Sequence, residues 1–123
     1  MLDTRSSLIP IGAINAALSV GAGAFAAHGL RGKLDERMLE VFETGARYQM
    51  YHALAMVLAG LLAASAPRAS IAGWIFQAGI VLFSGSLYVL SLTSVRALGA
   101  ITPIGGVAFL AGWLWLAWAA CKD

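Results

Sequence analysis

Two histidines, His28 and His52, stand out among the side chains of this sequence that could do chemistry, with an amide, two phenols and a hydroxyl at matching intervals. Tyr48 precedes His52 by four residues and Gln49 precedes it by three, so all three share one face of a helix. An imidazole in such company can relay a proton, ligate a metal or haem together with a second histidine, or sit as a neutral, fully hydrogen-bonded structural residue. His28 follows a long apolar run, where an imidazole can cap carbonyls and complement the helix dipole. Other chemistry has no carriers: no hydrolase motif, phosphate loop or paired catalytic carboxylates occur. The single cysteine, Cys121, excludes an internal disulfide and a cysteine metal cage, and reads as a small apolar residue.

These residues lie on or beside segments that water cannot surround. Of the 123 residues, 60% are hydrophobic and 11% charged, whereas a soluble domain carries about 25% charge. The charges cluster between Arg31 and Arg47, with long uncharged stretches elsewhere. The pattern predicts one all-α integral membrane domain over residues 1–123, a four-helix bundle with spans near residues 8–27, 46–65, 71–92 and 98–120. The first span resembles a signal peptide in its Ala24-Phe25-Ala26 stretch, but its length and Asn15 favour an uncleaved span. Asp35 is placed to cap a short amphipathic helix over residues 35–44, with Met38, Val41 and Phe42 on its apolar side. Gly45 would break that helix from the second span, and Glu43 and Arg47 are spaced to pair.

Four spans put both termini on one side. Arg31, Lys33, Arg37, Arg47 and Arg96 lie on the other side, against Arg5, Arg68 and Lys122. The excess of five over three puts the 28–45 loop in the cytoplasm of a bacterial inner membrane and the termini opposite. Trp74, Trp113, Trp115 and Trp118 fall in the terminal-side half as an aromatic belt.

Counting residues inward from each span boundary ranks the polar groups by depth. Asn15 and Gln77 come out level, as a buried structural pair hydrogen-bonded across helices. Nearer the cytoplasmic side, His28, Gln49, His52, Tyr88 and Thr102 converge on one level from four helices, which predicts that His52 partners Tyr88 and Thr102. Gln77, Ser84 and Ser91 recur every seven residues with Tyr88 on the same face, while Gly12, Asn15, Ser19, Ala22, Gly23 and Ala26 give span one a face for close packing. Gly105, Gly106 and Gly112 offer a surface for oligomer contacts.

Four strings carry a family resemblance: Gly23-Ala24-Phe25-Ala26-Ala27-His28-Gly29-Leu30; Thr44-Gly45-Ala46-Arg47-Tyr48-Gln49-Met50-Tyr51-His52-Ala53; Phe83-Ser84-Gly85-Ser86-Leu87-Tyr88; and Ile101-Thr102-Pro103-Ile104-Gly105-Gly106. Together they resemble the domain-of-unknown-function family four-two-three, small bacterial inner-membrane proteins with a eukaryotic transmembrane relative. The resemblance implies a four-helix membrane protein of unassigned activity and supplies no catalytic residues. It marks His28, Gln49, His52, Ser84, Tyr88, Thr102 and Pro103 as motif residues, and departs at Ala26, where the family pattern has glycine.

The residues favour a non-enzymatic module that binds membrane lipids, a second copy or a membrane-protein partner. They call for no cofactor or metal, and no basic patch suits nucleic acid. A small oligomeric transporter or channel is the alternative, although no span holds a carboxylate. A histidine-ligated redox or metal enzyme comes third, resting on two ligands with no supporting carboxylate or thiolate in the spans.

Overall fold

Asp35 starts the longest helix of the protein: its extended backbone leads into Glu36 and its Oδ1 accepts from Met38 N at 2.7 Å. The computed structural model describes Arg5 and residues 7–122. Within them α1 runs Leu8–Phe25 and continues through a π-turn, Ala26–Leu30; α2 runs Glu36–Leu62; α3 runs Ala69–Gly79; a second π-turn, Ile80–Ser84, leads into α4, Gly85–Thr93; and a 3₁₀ turn, Arg96–Ala100, precedes α5, Thr102–Lys122. No strand occurs among the described residues.

The 27 residues of α2 rise about 40 Å, more than the roughly 30 Å hydrocarbon core of a bilayer. The expected amphipathic helix over 35–44 is therefore no separate element but the first turns of α2. Gly45 does not break it. A Cβ there would lie 3.1 Å from Tyr88 Cε1 and 3.3 Å from Ser84 O, so the glycine serves close approach of α4 and stays helical. Arg47 Nη2 donates to Thr44 Oγ1 at 3.2 Å, and the expected pairing with Glu43 does not form.

Connections are short. Lys33 N and Leu34 N return to Leu30 O at 2.9 and 3.1 Å, with Gly32 at φ +86° making the turn. Ser94 closes α4 in the left-handed region, its N–H on Leu90 O at 2.7 Å. Pro103 sits in the first turn of α5, where its missing N–H costs nothing.

Three rods are long and apolar enough to cross a membrane: Leu8–Leu30, Ala69–Thr93 and Arg96–Lys122. Their outer faces show why. Ile14, Leu18 and Val20 on α1 and Ile104, Val107, Leu110 and Leu114 on α5 are 60–72% exposed, a sheath suited to lipid. The fourth rod, α2, is less apolar because it carries five charged residues from Glu36 to Arg47 as well as Tyr48, Gln49 and His52, of which Gln49 and His52 are buried.

The rods pack in series. α1 lies along α2, α2 along α3 and α4, and α5 along the α3 side, with the core formed by Leu8, Met56, Phe76, Ile80, Phe109 and Leu116. A smaller cluster of Ala26, Leu30 and Phe42 closes the end near the 31–35 loop. Only one stripe of α5 is buried, Gly105, Phe109, Gly112, Leu116 and Ala119. Two of the glycines expected to serve oligomer contacts are spent inside this stripe. A Cβ on Gly112 would meet the Phe76 ring within 2.7 Å, and one on Gly105 would meet the backbone of Phe83, 2.8 Å from its Cα. Gly106 has room, with Phe83 ring atoms no nearer than 3.9 Å.

That contrast is testable. Gly105→Ala forces α5 off the second π-turn and should lower stability in detergent by about 1–3 kcal/mol, while Gly106→Ala should leave it nearly unchanged. Equal melting temperatures for the two variants would contradict the packing described.

Candidate functional site

Apolar surroundings leave a buried amide no water to bond, so each must find a protein partner. On α1, Asn15 Nδ2 donates to Gln77 Oε1 of α3 at 2.7 Å and to Ile11 O at 3.2 Å. Its Oδ1 accepts from Gln49 Nε2 of α2 at 3.1 Å, and Gln49 Oε1 accepts from Tyr88 OH of α4 at 2.7 Å. One unidirectional chain, Tyr88 to Gln49 to Asn15 to Gln77, thus ties four helices, and bonds aligned in this way polarise one another. Two groups that the sequence sets at different depths are therefore one network, because Tyr88 and Gln49 reach along the bundle as well as across it.

His52 belongs elsewhere. Indole can only donate, so Trp113 Nε1, 3.1 Å from His52 Nε2, makes that nitrogen the acceptor. His52 Nδ1 then carries the proton and donates to Tyr48 O at 2.7 Å. The imidazole is the neutral Nδ1–H tautomer with both nitrogens engaged. Its ring stacks on Phe109 with centroids 3.5 Å apart and planes at 6°, and Phe76 lies 5.5 Å away. The expected partnership of His52 with Tyr88 and Thr102 does not form. Counting from Ala46 underestimates its depth: ten residues separate His52 from the other end of α2, about 15 Å, or mid-bundle.

The remaining residues of the expected cluster also separate. Thr102 Oγ1 lies 2.6 Å from Ser86 Oγ and donates to Leu98 O at 3.3 Å, a bond that fixes the start of α5. His28 is exposed in the first π-turn and makes no side-chain hydrogen bond among the described residues. Trp113 leaves the expected belt for His52. Trp115 and Trp118 remain at the terminal-side end, where Trp115 Nε1 donates to Arg68 O at 2.9 Å and the Arg68 guanidinium lies 5.2 Å from the Trp118 ring. Ser19 Oγ donates to Ala46 O at 2.7 Å. Ser84 Oγ is the one buried side-chain polar atom without a partner among the described residues, and it sits in the second π-turn.

Serial packing leaves an opening that sequence reasoning missed. α2 and α5 are bridged by side chains rather than by close backbones, and between them lies a lateral groove of about 500 Å³. Tyr48, Tyr51 and His52 form one wall, Phe109, Leu110 and Trp113 the other, with Phe83 and Gly106 between. The rings and the glycine were visible in the sequence; that α5 turns only one stripe inward was not. Among the described residues no three histidine, cysteine or carboxylate side chains come together.

A family model described as "Protein of unknown function (DUF423)" matches residues 22–106. The chain is 53% identical over 117 residues to the UPF0382 membrane protein YwdK of Bacillus subtilis, spanning 93% of this chain and 95% of that one. It is 52% identical to UPF0382 membrane protein SERP0230 of Staphylococcus epidermidis, over 93% of this chain and 94% of the relative. A third relative, UPF0382 membrane protein SH2409 of Staphylococcus haemolyticus, is 50% identical over 88% and 89% of the two chains. No solved structure matches.

Two measurements check the network. Asn15→Ala and Gln49→Ala, alone and combined, should show a coupling of about 0.5–2 kcal/mol in a double-mutant cycle of unfolding in detergent; additive effects would dissolve the chain. Ser84→Ala removes a hydroxyl that has nothing to bond and should raise the melting temperature slightly or leave it unmoved. A loss of several degrees would give that hydroxyl a partner.

Proposed function

This chain belongs to the DUF423 family of membrane proteins, and we propose that it is a non-enzymatic, four-span module of the bacterial inner membrane that binds a lipid chain laterally. The observation that carries this is the groove between α2 and α5, which opens sideways and is lined by aromatic rings and a glycine gap. Its one histidine has both nitrogens engaged, so the groove offers an apolar chain stacking surfaces and offers a polar substrate little.

The fourth span is the part of α2 beyond Arg47. Its one amide, Gln49, and its imidazole turn to protein partners, which supports residence in hydrocarbon despite its lower hydropathy. The preceding turns, with Glu36, Arg37, Glu40 and Glu43, then lie at the surface as the interfacial part of the same helix. The five-to-three excess of positive charge favours a cytoplasmic 31–35 loop, with Leu8 and Lys122 toward the opposite face. The transport alternative gains nothing from the buried network, because carboxamides neither take up nor release protons in the physiological range.

Native mass spectrometry of the protein released from phospholipid nanodiscs tests the groove. Gly106→Phe fills it and should lower retained lipid about threefold, equivalent to ~0.6 kcal/mol of binding free energy. Gly106→Ala, whose Cβ makes only ordinary contact with Phe83, serves as the folded control. Equal lipid retention by wild type and Gly106→Phe, both folded, would overturn the reading.

A further inference from the structure

A lipid chain in the groove brings a headgroup with it, and the faces of α2 and α4 lead from the groove to a place for one. Arg37, Val41, Thr44 and Tyr48 follow one another by four, three and four residues, so they form a single stripe of α2. Ser94, Leu90, Leu87 and Phe83 form the facing stripe, from the end of α4 back into the second π-turn. Depressions open along this seam in order. The first, about 580 Å³, lies between Arg37 and Met38 on α2 and Leu90, Ser94 and Arg96 at the far end of α4. The next shares Arg37 and Val41 with it, has Glu40 on its rim, and reaches Thr44 and Leu87. One turn further on, Tyr48 and Phe83, with ring centroids 4.8 Å apart, line the lateral groove itself.

The upper end of this seam is charged and the lower end is not. Arg37 and Arg96 come from different helices to the same depression, and neither has an ion-pair or hydrogen-bond partner among the described residues. Asp35 also lines the depression, but its Oδ1 is held by Met38 N as the helix cap. Within this first depression one positive charge is left in excess, Glu40 lying in the next one along. Two free guanidiniums at a membrane surface suit a phosphate, which they can bind by paired N–H donors. From Arg37 to Tyr48 the seam runs about 16 Å along α2, from its interfacial turns to the start of the span.

We infer that Arg37 and Arg96 clamp the phosphate headgroup of an anionic phospholipid whose acyl chain runs down the α2–α4 seam into the aromatic groove. This rests on the lateral-groove reading and adds to it a headgroup class. A neutral zwitterionic lipid fills the seam equally well but carries a cationic amine that the two arginines repel. The excess positive charge attracts a lipid whose phosphate is uncompensated.

The test uses the full chain in nanodiscs of equimolar phosphatidylglycerol and phosphatidylethanolamine, with the lipids that stay bound on release identified by native mass spectrometry. Wild type should retain phosphatidylglycerol in excess, and Arg37→Gln and Arg96→Gln should each cut that excess about fivefold. Arg47→Gln is the control for charge alone, since Arg47 is held by Thr44 and lies off the seam. If the Arg37→Gln/Arg96→Gln protein keeps the wild-type lipid ratio while Gly106→Phe still lowers total lipid, the groove stands and the clamp falls. If Arg47→Gln reduces the ratio as much as the other two, general surface charge is the cause and the clamp again falls. If the arginine variants change the ratio and Gly106→Phe changes nothing, the groove reading fails and the path of the acyl chain fails with it.

Discussion

Hydrocarbon offers no hydrogen bonds, and the arrangement of this protein follows from that one constraint. Asn15, Gln49, Gln77 and Tyr88 would each be costly to leave unpaired in such a medium. They solve the problem jointly by forming one directional chain across α1, α2, α3 and α4. Because every member depends on its neighbour's position, the chain sets the relative rotation and height of the helices more strictly than apolar packing does, since lipid tails compete equally for Leu or Val. His52 obeys the same rule by a different route, taking its two bonds from a main-chain carbonyl and an indole.

Close approach of the backbones is the complement of this network. Without a hydrophobic driving force between helices, contact area comes from small residues, and Gly45, Gly105 and Gly112 let Tyr88, Phe83 and Phe76 sit against bare backbone. The result is a series of rods rather than a closed square. α5 is held along one stripe and reaches α2 through side chains such as Phe109 and Trp113. A gap on the lipid side is the geometric consequence, and aromatic side chains are what such a gap is lined with when its two walls must touch across a distance.

Depth counting reads some of this well and some badly, for a physical reason. Asn15 and Gln77 are each close to the start of their own helices at the same end, so the count carries little error, and their atoms meet at 2.7 Å. His52 was measured from Ala46, where the charges stop. α2 begins ten residues earlier, and Gln49 is polar without being at the surface. Hydropathy marks where a segment ceases to be charged, which for a helix with buried amides is not where the bilayer begins. Trp113 was put in the belt by its half of the span alone, although its indole N–H needs an acceptor, and His52 supplies it.

Composition alone determined that this chain lives in a membrane as a small helical protein, because too few charges exist to cover a surface in water. The ordered motifs fixed the family, and the position of Asp35 fixed the start of α2, since a cap is a local interaction between neighbours in sequence. What only the tertiary structure decided are the long-range matters: that α2 is one helix through Gly45, that Thr102 bonds Ser86 while His52 bonds Trp113, that Arg37 and Arg96 share one depression, and that α5 leaves a groove open. Each depends on how far one rod is slid and turned against another. Helical periodicity gives the face a residue occupies but contains no information about the register between helices, and register is what chooses partners.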